Sequence, residues 1–368
     1  MSAGDPPSTS GTGSVHGCPP AGQAIWARRA PAEGTASDTL QAVKAILVDA
    51  PGDPSVMKLG ETPAPELRPG AIRIRVVATS VNRADLLQRQ GLYPPPPSES
   101  AILGLECAGE VAEVASDVEA WRIGDRAMAL LAGGGYAEEV VVPADCAMRV
   151  PAELSFEEAA GIPEVFLTVF LNIFQLAAFP DGGSVLVHGG GSGIGTAAIQ
   201  LVKRAGGTVV VTAGSPEKCA RCLELGADRA VNYREEDFVE AVRKQTDGRG
   251  VDVVLDSIGA AYLEQNLSAL AVEGRLIVIG LMGGANAKIA LAPLLMRRLQ
   301  LIGSTMRSRP AEAKAATVAA FEARFGAALE AGKIRPVIDR VLPLAEAHEA
   351  HRVVAASEHF GKVILRVA

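Results

Sequence analysis

A glycine-rich segment is the strongest chemical signal in the sequence. Residues 189–195 read GGGSGIG and stand between an apolar run and a helical pattern. A strand that turns into a helix through residues without β-carbons lets backbone N–H groups approach a pyrophosphate. If Gly189 and Gly191 are the first two glycines of a G-x-G-x-x-G motif, Ile194 stands where the third is expected. We therefore assign the phosphate contact to the turn made of Ser192, Gly193, Ile194 and Gly195.

The end of the next apolar run favours NADP over NAD. An NAD site places Asp or Glu about twenty residues after the glycines, where the carboxylate accepts a hydrogen bond from the ribose 2′-hydroxyl. Residues 212–215 read TAGS here, so no carboxylate repels a 2′-phosphate. Ser215 can donate to that phosphate, and Lys218 adds a cation one turn into the next helix. Ser215 is also a good helix N-cap ahead of Pro216, and the two roles are compatible.

Alternating strand and helix patterns place both signals in a doubly wound α/β domain. Apolar runs at residues 184–187, 208–212, 251–255 and 275–279 are separated by helical stretches, which is typical of parallel βαβ units. Before residue 163 the pattern is different, because short alternating strands are separated by glycine turns. That pattern predicts a mostly antiparallel, β-rich domain.

The last part of the chain is expected to return to the first domain. It contains a helix at 311–331, a strand at 337–341, a helix at 345–356 and a final strand at 363–367. We predict four segments: a disordered tail at 1–40, a β-rich domain at 41–163 and 308–368, and a nucleotide-binding domain inserted at 164–307. The tail is rich in Gly, Ala, Pro, Ser and Thr and lacks the apolar region of a secretory signal.

Length and composition exclude several classes of protein. The 368 residues suit two domains, and 48% of them are hydrophobic, which is enough for a large core. The net charge of −7 gives no reason to expect a nucleic-acid partner. No apolar run reaches the roughly 18 residues of a membrane span. Five mostly isolated cysteines do not form a disulfide framework, so a reducing cytoplasm is expected.

Five segments carry a resemblance to a known family. They are residues 82–93 (NRADLLQRQGLY), 103–106 (LGLE), 213–218 (AGSPEK), 280–284 (GLMGG) and 360–363 (FGKV). Together they resemble the zinc-independent quinone oxidoreductases, the zeta-crystallin-like branch of the medium-chain dehydrogenase/reductase superfamily. The similarity is greatest to the tumour-suppressor-inducible subgroup and covers nearly all of residues 43–367.

The resemblance implies a GroES-like catalytic domain with an inserted Rossmann domain and the active cleft between them. It implies NADPH as cofactor and a homodimer formed through the Rossmann sheets. Residues that match the family's 2′-phosphate site are Ser215, Lys218 and Tyr233, and those that match its pyrophosphate site are Gly193, Ile194 and Gly195. Residues that match positions around the nicotinamide or the cleft are Asn82, Gly259, Met282, Gly361 and Lys362. The matching substrate-pocket residues are Asn82, Asp85 and Tyr93.

The resemblance also suggests a mechanism without zinc. Zinc alcohol dehydrogenases carry Gly-His-Glu where this chain has Leu105 in the middle, and a zinc Lewis acid is needed for alkoxide chemistry. Quinones accept hydride readily, so we expect NADPH-dependent reduction of a quinone or related conjugated carbonyl. Asn82 would hydrogen-bond the developing oxyanion, and Tyr93 or water would supply the proton. Alternatively, Asp85 caps a helix and Tyr93 packs on the prolines that follow it.

Two other functions stay open. One is reduction of a 2-enoyl thioester, for which Arg83 and Arg89 are candidate contacts to coenzyme A. The other is a non-catalytic binding role regulated by NADPH. Several further residues are interpreted as structural or solvated and not as sites, with no metal expected: Cys219, Cys222, His188, His348, His351, Arg297, Arg298 and residues 307–309.

Overall fold

The computed structural model describes residues 42–368. The predicted disordered tail at 1–40 lies outside these residues. The strands are β1 (Ala42–Val48), β2 (Met57–Pro63), β3 (Ala71–Ser80), β4 (Glu106–Val114), β5 (Arg126–Leu130), β6 (Glu139–Pro143), β7 (Ala147–Arg149), β8 (Ser184–His188), β9 (Thr208–Ala213), β10 (Arg229–Asn232), β11 (Val251–Asp256), β12 (Leu270–Val278), β13 (Gln300–Gly303), β14 (Ile338–Pro343) and β15 (Lys362–Arg366). The helices are α1 (Arg83–Arg89), α2 (Phe156–Ala159), α3 (Pro163–Val169), α4 (Gly193–Arg204), α5 (Pro216–Glu224), α6 (Phe238–Gln245), α7 (Leu263–Ala269), α8 (Leu291–Arg297), α9 (Ala311–Glu330) and α10 (Ala347–Ala355).

A six-stranded sheet forms the nucleotide-binding half. Its order is β10-β9-β8-β11-β12-β13, and every neighbouring pair is parallel. Strands buried on both faces read as continuous apolar runs, and Val185, Leu186 and Val187 of β8 are fully buried. The order reverses between β8 and β11, so a crevice opens at the carboxyl ends of these two strands. The predicted doubly wound sheet is confirmed.

A seven-stranded sheet forms the other half. Its order is β14-β15-β3-β4-β5-β7, with β6 paired to β3. All of its pairs are antiparallel except β14 with β15. β14 and β15 come from the end of the chain, so the polypeptide leaves this sheet after β7, builds the parallel sheet and returns. This arrangement agrees with the predicted fold class.

The core connects the two halves. One hydrophobic cluster contains Ala78 and Met128 from the antiparallel sheet together with Val187 and Val211 from the parallel one. Helical residues 156–176 lie in the same cluster, and their second half, Phe170–Leu176, is a π-helix. By length and composition this stretch could cross a membrane, so the prediction that no apolar run is long enough is wrong. However, 83% of its most apolar window is buried inside the protein, where it packs on other core elements.

Several predicted elements begin elsewhere in the structure. The helical pattern of the sequence covers residues 196–205, whereas α4 begins at Gly193, because Ser192 caps it by accepting a hydrogen bond from the Gly195 N–H. The alternating pattern at residues 111–114 predicts a strand, and in the structure β4 begins five residues earlier, at Glu106. α8 and β13 were not predicted from the sequence. The domain boundaries given above stay a prediction.

Candidate functional site

The glycine turn leaves no room for side chains at three positions. A Cβ on Gly195 would lie 2.4 Å from two backbone oxygens, those of Gly189 and Gly190. A Cβ on Gly190 would lie 2.7 Å from Val211, and one on Gly193 would lie 2.6 Å from Cδ of Lys362. The sterically required spacing is therefore G-x-x-G-x-G, which differs from an alignment that starts at Gly189 and Gly191. The turn opens α4, whose first N–H groups point towards the crevice end of the helix.

The predicted 2′-phosphate residues meet at the carboxyl ends of β9 and β10. Ser215 caps α5 by accepting from the Lys218 N–H at 3.3 Å, with Pro216 at the first helical position, so the capping role of Ser215 is confirmed. Lys218 Nζ donates to the Ser357 carbonyl at 2.5 Å, and burial lowers the pKa of Lys218. Tyr233 is 44% exposed, and its hydroxyl lies beside Gly214. A polyanion placed here would meet a hydroxyl, a phenol and an ammonium.

Two further predicted cofactor residues come together at the ends of β11 and β12. The Gly259 N–H donates to Asp256 Oδ2 at 3.0 Å, and Gly259 has φ +82°, a conformation that favours glycine. The Met282 N–H donates to the Ser257 carbonyl at 3.2 Å, and the Met282 side chain is 55% exposed. Both residues border the same crevice as the glycine turn.

Residues 357–362, which lead into β15 and include its first residue, connect the phosphate region to the antiparallel sheet. The Gly361 N–H donates to the Gly191 carbonyl at 2.8 Å, and Gly361 forms a parallel bridge with Ser192. Gly361 has φ +92°, and a Cβ there would lie 2.1 Å from the Val337 carbonyl oxygen. Arg221 of α5 covers the Phe360 ring at 3.9 Å. This segment therefore touches both predicted phosphate subsites.

A buried polar cluster lies where β3, β4 and β15 meet. Lys362 Nζ donates to Glu106 Oε1 at 2.8 Å and to Asn82 Oδ1 at 2.7 Å. Asn82 Nδ2 donates to the same Glu106 oxygen at 2.9 Å, and the Ser80 hydroxyl donates to it as well. The backbone N–H of Glu164 donates to Glu106 Oε2 at 2.8 Å. Lys362 and Glu106 are 3% and 0% exposed, so the ion pair is shielded from water.

This cluster changes the interpretation of Lys362 and Asn82. The ammonium of Lys362 is hydrogen-bonded inside the protein, and its alkyl chain covers Gly193, so it reaches the cofactor region through its stem. The Asn82 amide is oriented by Lys362 on its oxygen and by Glu106 on its nitrogen. One Nδ2 hydrogen of Asn82 remains for a ligand. The cofactor and catalytic roles of these two residues stay predictions.

Asp85 is a capping residue in the structure. Its carboxylate accepts from the Asn82 N–H at 2.8 Å and from the Gly104 N–H at 3.0 Å, and it is fully buried. Burial raises the pKa of Asp85 to about 6. Tyr93 is half-buried, and burial raises its pKa too, so its phenol stays protonated at neutral pH. Asp85 therefore positions Asn82, while Tyr93 can carry a proton.

Sequence reasoning missed three residues of the site. Glu106 was considered only as part of the LGLE segment, which departs from the zinc motif at Leu105, yet it accepts four of the five hydrogen bonds of the cluster described above. Glu164 was not singled out, although burial and the negative charge of Glu106 raise its pKa to about 8. Arg307 was expected to lie in a solvated basic face, and this is wrong, because it is 4% exposed. The Pro-Glu start of α3 was the available signal for Glu164.

Other polar residues singled out in the sequence are buried inside the protein. His188 bonds Thr212 at 3.1 Å and Asn266 at 2.7 Å, and burial lowers its pKa to about 4. Cys219 and Cys222 are buried free thiols in α5. Within residues 42–368, no three His, Cys, Asp or Glu side chains are grouped so that they could hold a metal ion.

Comparisons with known proteins agree with this architecture. Residues 68–152 match the alcohol dehydrogenase GroES-like domain, and residues 193–323 match the zinc-binding dehydrogenase family. Human quinone oxidoreductase is 30% identical over 326 residues, which cover 88% of this chain and 97% of that protein. A mycocerosic acid synthase-like polyketide synthase of Mycobacterium tuberculosis is 31% identical over 90% of this chain, but the match spans 16% of the synthase.

Solved structures similar to this chain include both dehydrogenases and reductases. An NAD-dependent alcohol dehydrogenase is 35% identical with a TM-score of 0.78, over 88% of this chain and all of that one. Quinone oxidoreductase of Escherichia coli complexed with NADPH is 27% identical with a TM-score of 0.78, over 89% of this chain and all of that one. CurK enoyl reductase has the same identity, TM-score and coverage.

Replacing Lys362 tests the buried ion pair. Lys362→Met leaves the Glu106 carboxylate buried without its cation, and we expect it to lower the free energy of unfolding by about 3–5 kcal/mol. Adding Glu106→Gln should recover part of that loss, since no buried charge then remains. The measurement is chemical denaturation followed by circular dichroism. The control is Arg352→Met in the exposed pair with Glu349, for which a much smaller loss is expected. An equal loss in both single variants would contradict the prediction.

Proposed function

Because the chain belongs to the medium-chain dehydrogenase/reductase superfamily, we propose that it is an NADPH-dependent, zinc-independent reductase of quinones and related conjugated carbonyl compounds. We place it in the zeta-crystallin-like branch, near the tumour-suppressor-inducible subgroup. The observation that carries the proposal is the buried cluster of Asn82, Glu106 and Lys362. It holds a neutral carboxamide at the cleft at a point where metal-dependent relatives need ligands.

The residues at the crevice fit NADPH. The glycine turn accepts a pyrophosphate because a Cβ is sterically excluded at three of its positions, and the N-terminus of α4 favours negative charge. Ser215, Lys218 and Tyr233 surround the place of a 2′-phosphate, and no carboxylate stands in residues 212–215. The E. coli quinone oxidoreductase structure, which contains NADPH, supports the same choice. When bound, NADPH supplies the hydride.

The protein's own side chains would bind and protonate the acceptor. Lys362 and Glu106 fix the amide plane of Asn82, so its remaining N–H can donate to the acceptor carbonyl as negative charge develops there. Asp85 holds the backbone of Asn82. The protonated phenol of Tyr93 is the proton donor, with water as the alternative.

The hydrogen bonds that Glu106 accepts are the reason that we propose a zinc-independent reaction. Both of its carboxylate oxygens accept hydrogen bonds within the cluster, and Leu105 stands beside it in place of an imidazole. A zinc ligand would have to give up those bonds. Hydride transfer to an electron-poor quinone does not need a Lewis acid, whereas alcohol oxidation does.

Reduction of a 2-enoyl thioester is the second candidate function. The structural similarity to CurK enoyl reductase favours it, and the segment of the polyketide synthase that matches 90% of this chain agrees with it. Of the two arginines expected to contact coenzyme A, Arg89 is 2% exposed, and its Nε and Nη1 atoms are buried. Only Arg83 keeps partial exposure. A non-catalytic, NADPH-regulated binding role is the third possibility and predicts no turnover with any acceptor.

We also propose a reducing cytoplasmic location and a homodimer. The cysteines of the described residues, Cys107, Cys146, Cys219 and Cys222, are free and buried. The parallel sheet ends at β13, which pairs only with β12 among residues 42–368, and the neighbouring α8 exposes apolar side chains. Leu291, Leu295 and Met296 are 69%, 78% and 74% exposed. A second copy that covers β13 and α8 would bury this apolar surface.

An NADPH-oxidation assay tests the function directly. We expect oxidation that depends on 1,2-naphthoquinone or 9,10-phenanthrenequinone, is insensitive to EDTA and is faster with NADPH than with NADH. Turnover with crotonyl-CoA alone would favour the enoyl reductase, and no turnover would favour the binding role.

Two variants test the assignment of the 2′-phosphate site in the same assay. Lys218→Met should raise the KM for NADPH by about 10–100-fold, since one charge-assisted hydrogen bond is lost, and should leave the KM for NADH nearly unchanged. Arg234→Met changes a nearby surface cation, so it should have a smaller effect. An equal rise in the KM for both cofactors in Lys218→Met would contradict the 2′-phosphate assignment.

Replacing Asn82 and Tyr93 tests the catalytic assignment. We expect Asn82→Ala to lower kcat for quinone by about 10²–10³-fold, because one oxyanion donor is lost. Tyr93→Phe should lower kcat less if water replaces the phenol, and the solvent isotope effect on kcat should then increase. NADPH affinity, measured by calorimetry, is the control for folding. Full turnover in the double variant would exclude both catalytic roles.

Light scattering tests the homodimer. We expect twice the mass of one chain for the wild type and the mass of one chain for Leu295→Glu, because a charge in the apolar interface is costly. Leu223→Glu on the exposed face of α5 is the matched control, since Leu223 is 48% exposed and far from β13 in sequence. A wild-type mass of one chain would contradict the proposal.

A further inference from the structure

Arg307 is a buried cation that the mechanism above does not use. It lies in the segment that leaves β13 at the carboxyl end of the parallel sheet, on the same edge as the glycine turn. Arginine is rarely buried unless its guanidinium is paired, and Arg307 is 4% exposed. Burial lowers the pKa of Arg307, but an arginine stays protonated. A positive charge is therefore fixed at this edge of the cleft.

Two of the three guanidinium nitrogens have protein partners. Nε donates to the Ala132 carbonyl at 2.6 Å, and Nη1 donates to the Tyr93 carbonyl at 3.3 Å. The guanidinium carbon lies 5.4 Å from the centre of the Tyr93 ring. Nη2 is shielded from bulk water and has no acceptor among residues 42–368. A buried donor without a partner is costly, so this nitrogen is suited to a ligand acceptor.

The charges around Arg307 belong to the Asn82 site. Those that act on it are the carboxyls of Asp85, Glu164 and Glu99 and the phenol of Tyr93. Asp85 is hydrogen-bonded to the Asn82 backbone, and the Glu164 backbone is hydrogen-bonded to Glu106. Arg307 thus borders the same cleft as the carboxamide that we assign to the acceptor.

We propose that Arg307 is a substrate-binding residue whose Nη2 donates a hydrogen bond to the carbonyl oxygen of the acceptor. The inference rests on the proposed function and extends it by a second, charged donor. As the acceptor gains a hydride from NADPH, a C–H bond forms, an electron pair of the conjugated carbonyl system moves onto oxygen, and NADP⁺ is left. The oxygen then takes a proton from Tyr93 or water. Arg307 favours the anionic oxygen over the neutral carbonyl, so it lowers the barrier.

A purely structural role makes different predictions. Arg307 could serve only to hold the loop of Tyr93 through Nη1. Arg307→Gln separates the roles, because glutamine can still donate to a loop carbonyl but carries no charge. Arg307→Lys keeps the positive charge but removes the planar guanidinium and its paired N–H donors. Arg324→Gln is the matched control, since Arg324 covers Phe174 at the surface of α9.

A phenolate probe tests the inference without turnover. 4-Nitrophenol is titrated in the presence of enzyme and NADP⁺, and its ionisation is followed by visible absorbance. We expect the wild type to lower the pKa of the bound probe by about 1–3, as a cation close to a phenolate does. Arg307→Gln should remove most of that change, Arg307→Lys should retain part of it, and Arg324→Gln should retain it all.

Turnover of quinone by the same variants is the second measurement. Arg307→Gln should lower kcat by about 10²-fold while NADP⁺ affinity and the melting temperature stay close to wild type. An unshifted probe pKa in the wild type, or an undiminished change in Arg307→Gln, would overturn the role of Arg307. A shifted probe in an enzyme that turns over no quinone would support the anionic-oxygen site and contradict the proposed reaction instead.

Discussion

The buried ion pair between Lys362 and Glu106 is the contact on which the site depends. It joins the last strand of the chain to a strand from its first third, and it fixes Asn82 between them. An ion pair without water needs further hydrogen bonds to offset desolvation, and Ser80, Asn82 and the Glu164 N–H provide them. Because these groups come from separate elements, the carboxamide can be oriented only after β3, β4 and β15 have paired. The ion pair contributes more to the precise orientation of the Asn82 carboxamide than to the stability of the fold.

Residues 357–362 carry the same constraint into the cofactor region. Ser357 accepts from Lys218, Phe360 lies under Arg221, and Gly361 is hydrogen-bonded to Gly191. The phosphate side of the crevice and the carboxamide side are thus held by one short segment. Movement of that segment would alter both at once, so binding at the phosphate side and orientation of the acceptor are physically connected.

The sequence was informative where local chemistry decides structure and less so where distant segments meet. The strand, glycine turn and helix at residues 184–205 follow from a single stretch of chain, as does the capping of α5 by Ser215. The doubly wound sheet follows from the alternation of strands and helices along the chain.

The partner of Glu106, however, lies 256 positions away in sequence, and no periodicity reveals it. Arg307 looked like part of an exposed basic cluster because its acceptors, the carbonyls of Tyr93 and Ala132, are backbone atoms that sequence does not distinguish. The length of the apolar helix at 156–176 was also underestimated. Composition alone does not distinguish such a core helix from a membrane span.

The contact of Gly193 with the stem of Lys362 links two positions that sequence comparison would treat separately. A side chain at 193 and a long side chain at 362 compete for one space, because a Cβ at 193 would lie 2.6 Å from the lysine Cδ. Any redesign of the phosphate turn is therefore also a redesign of the acceptor pocket. In a combinatorial library, positions 193, 362 and 106 form one unit and should be varied together: an alanine in the turn is compatible with a shorter residue at 362, and that residue in turn requires a neutral partner at 106.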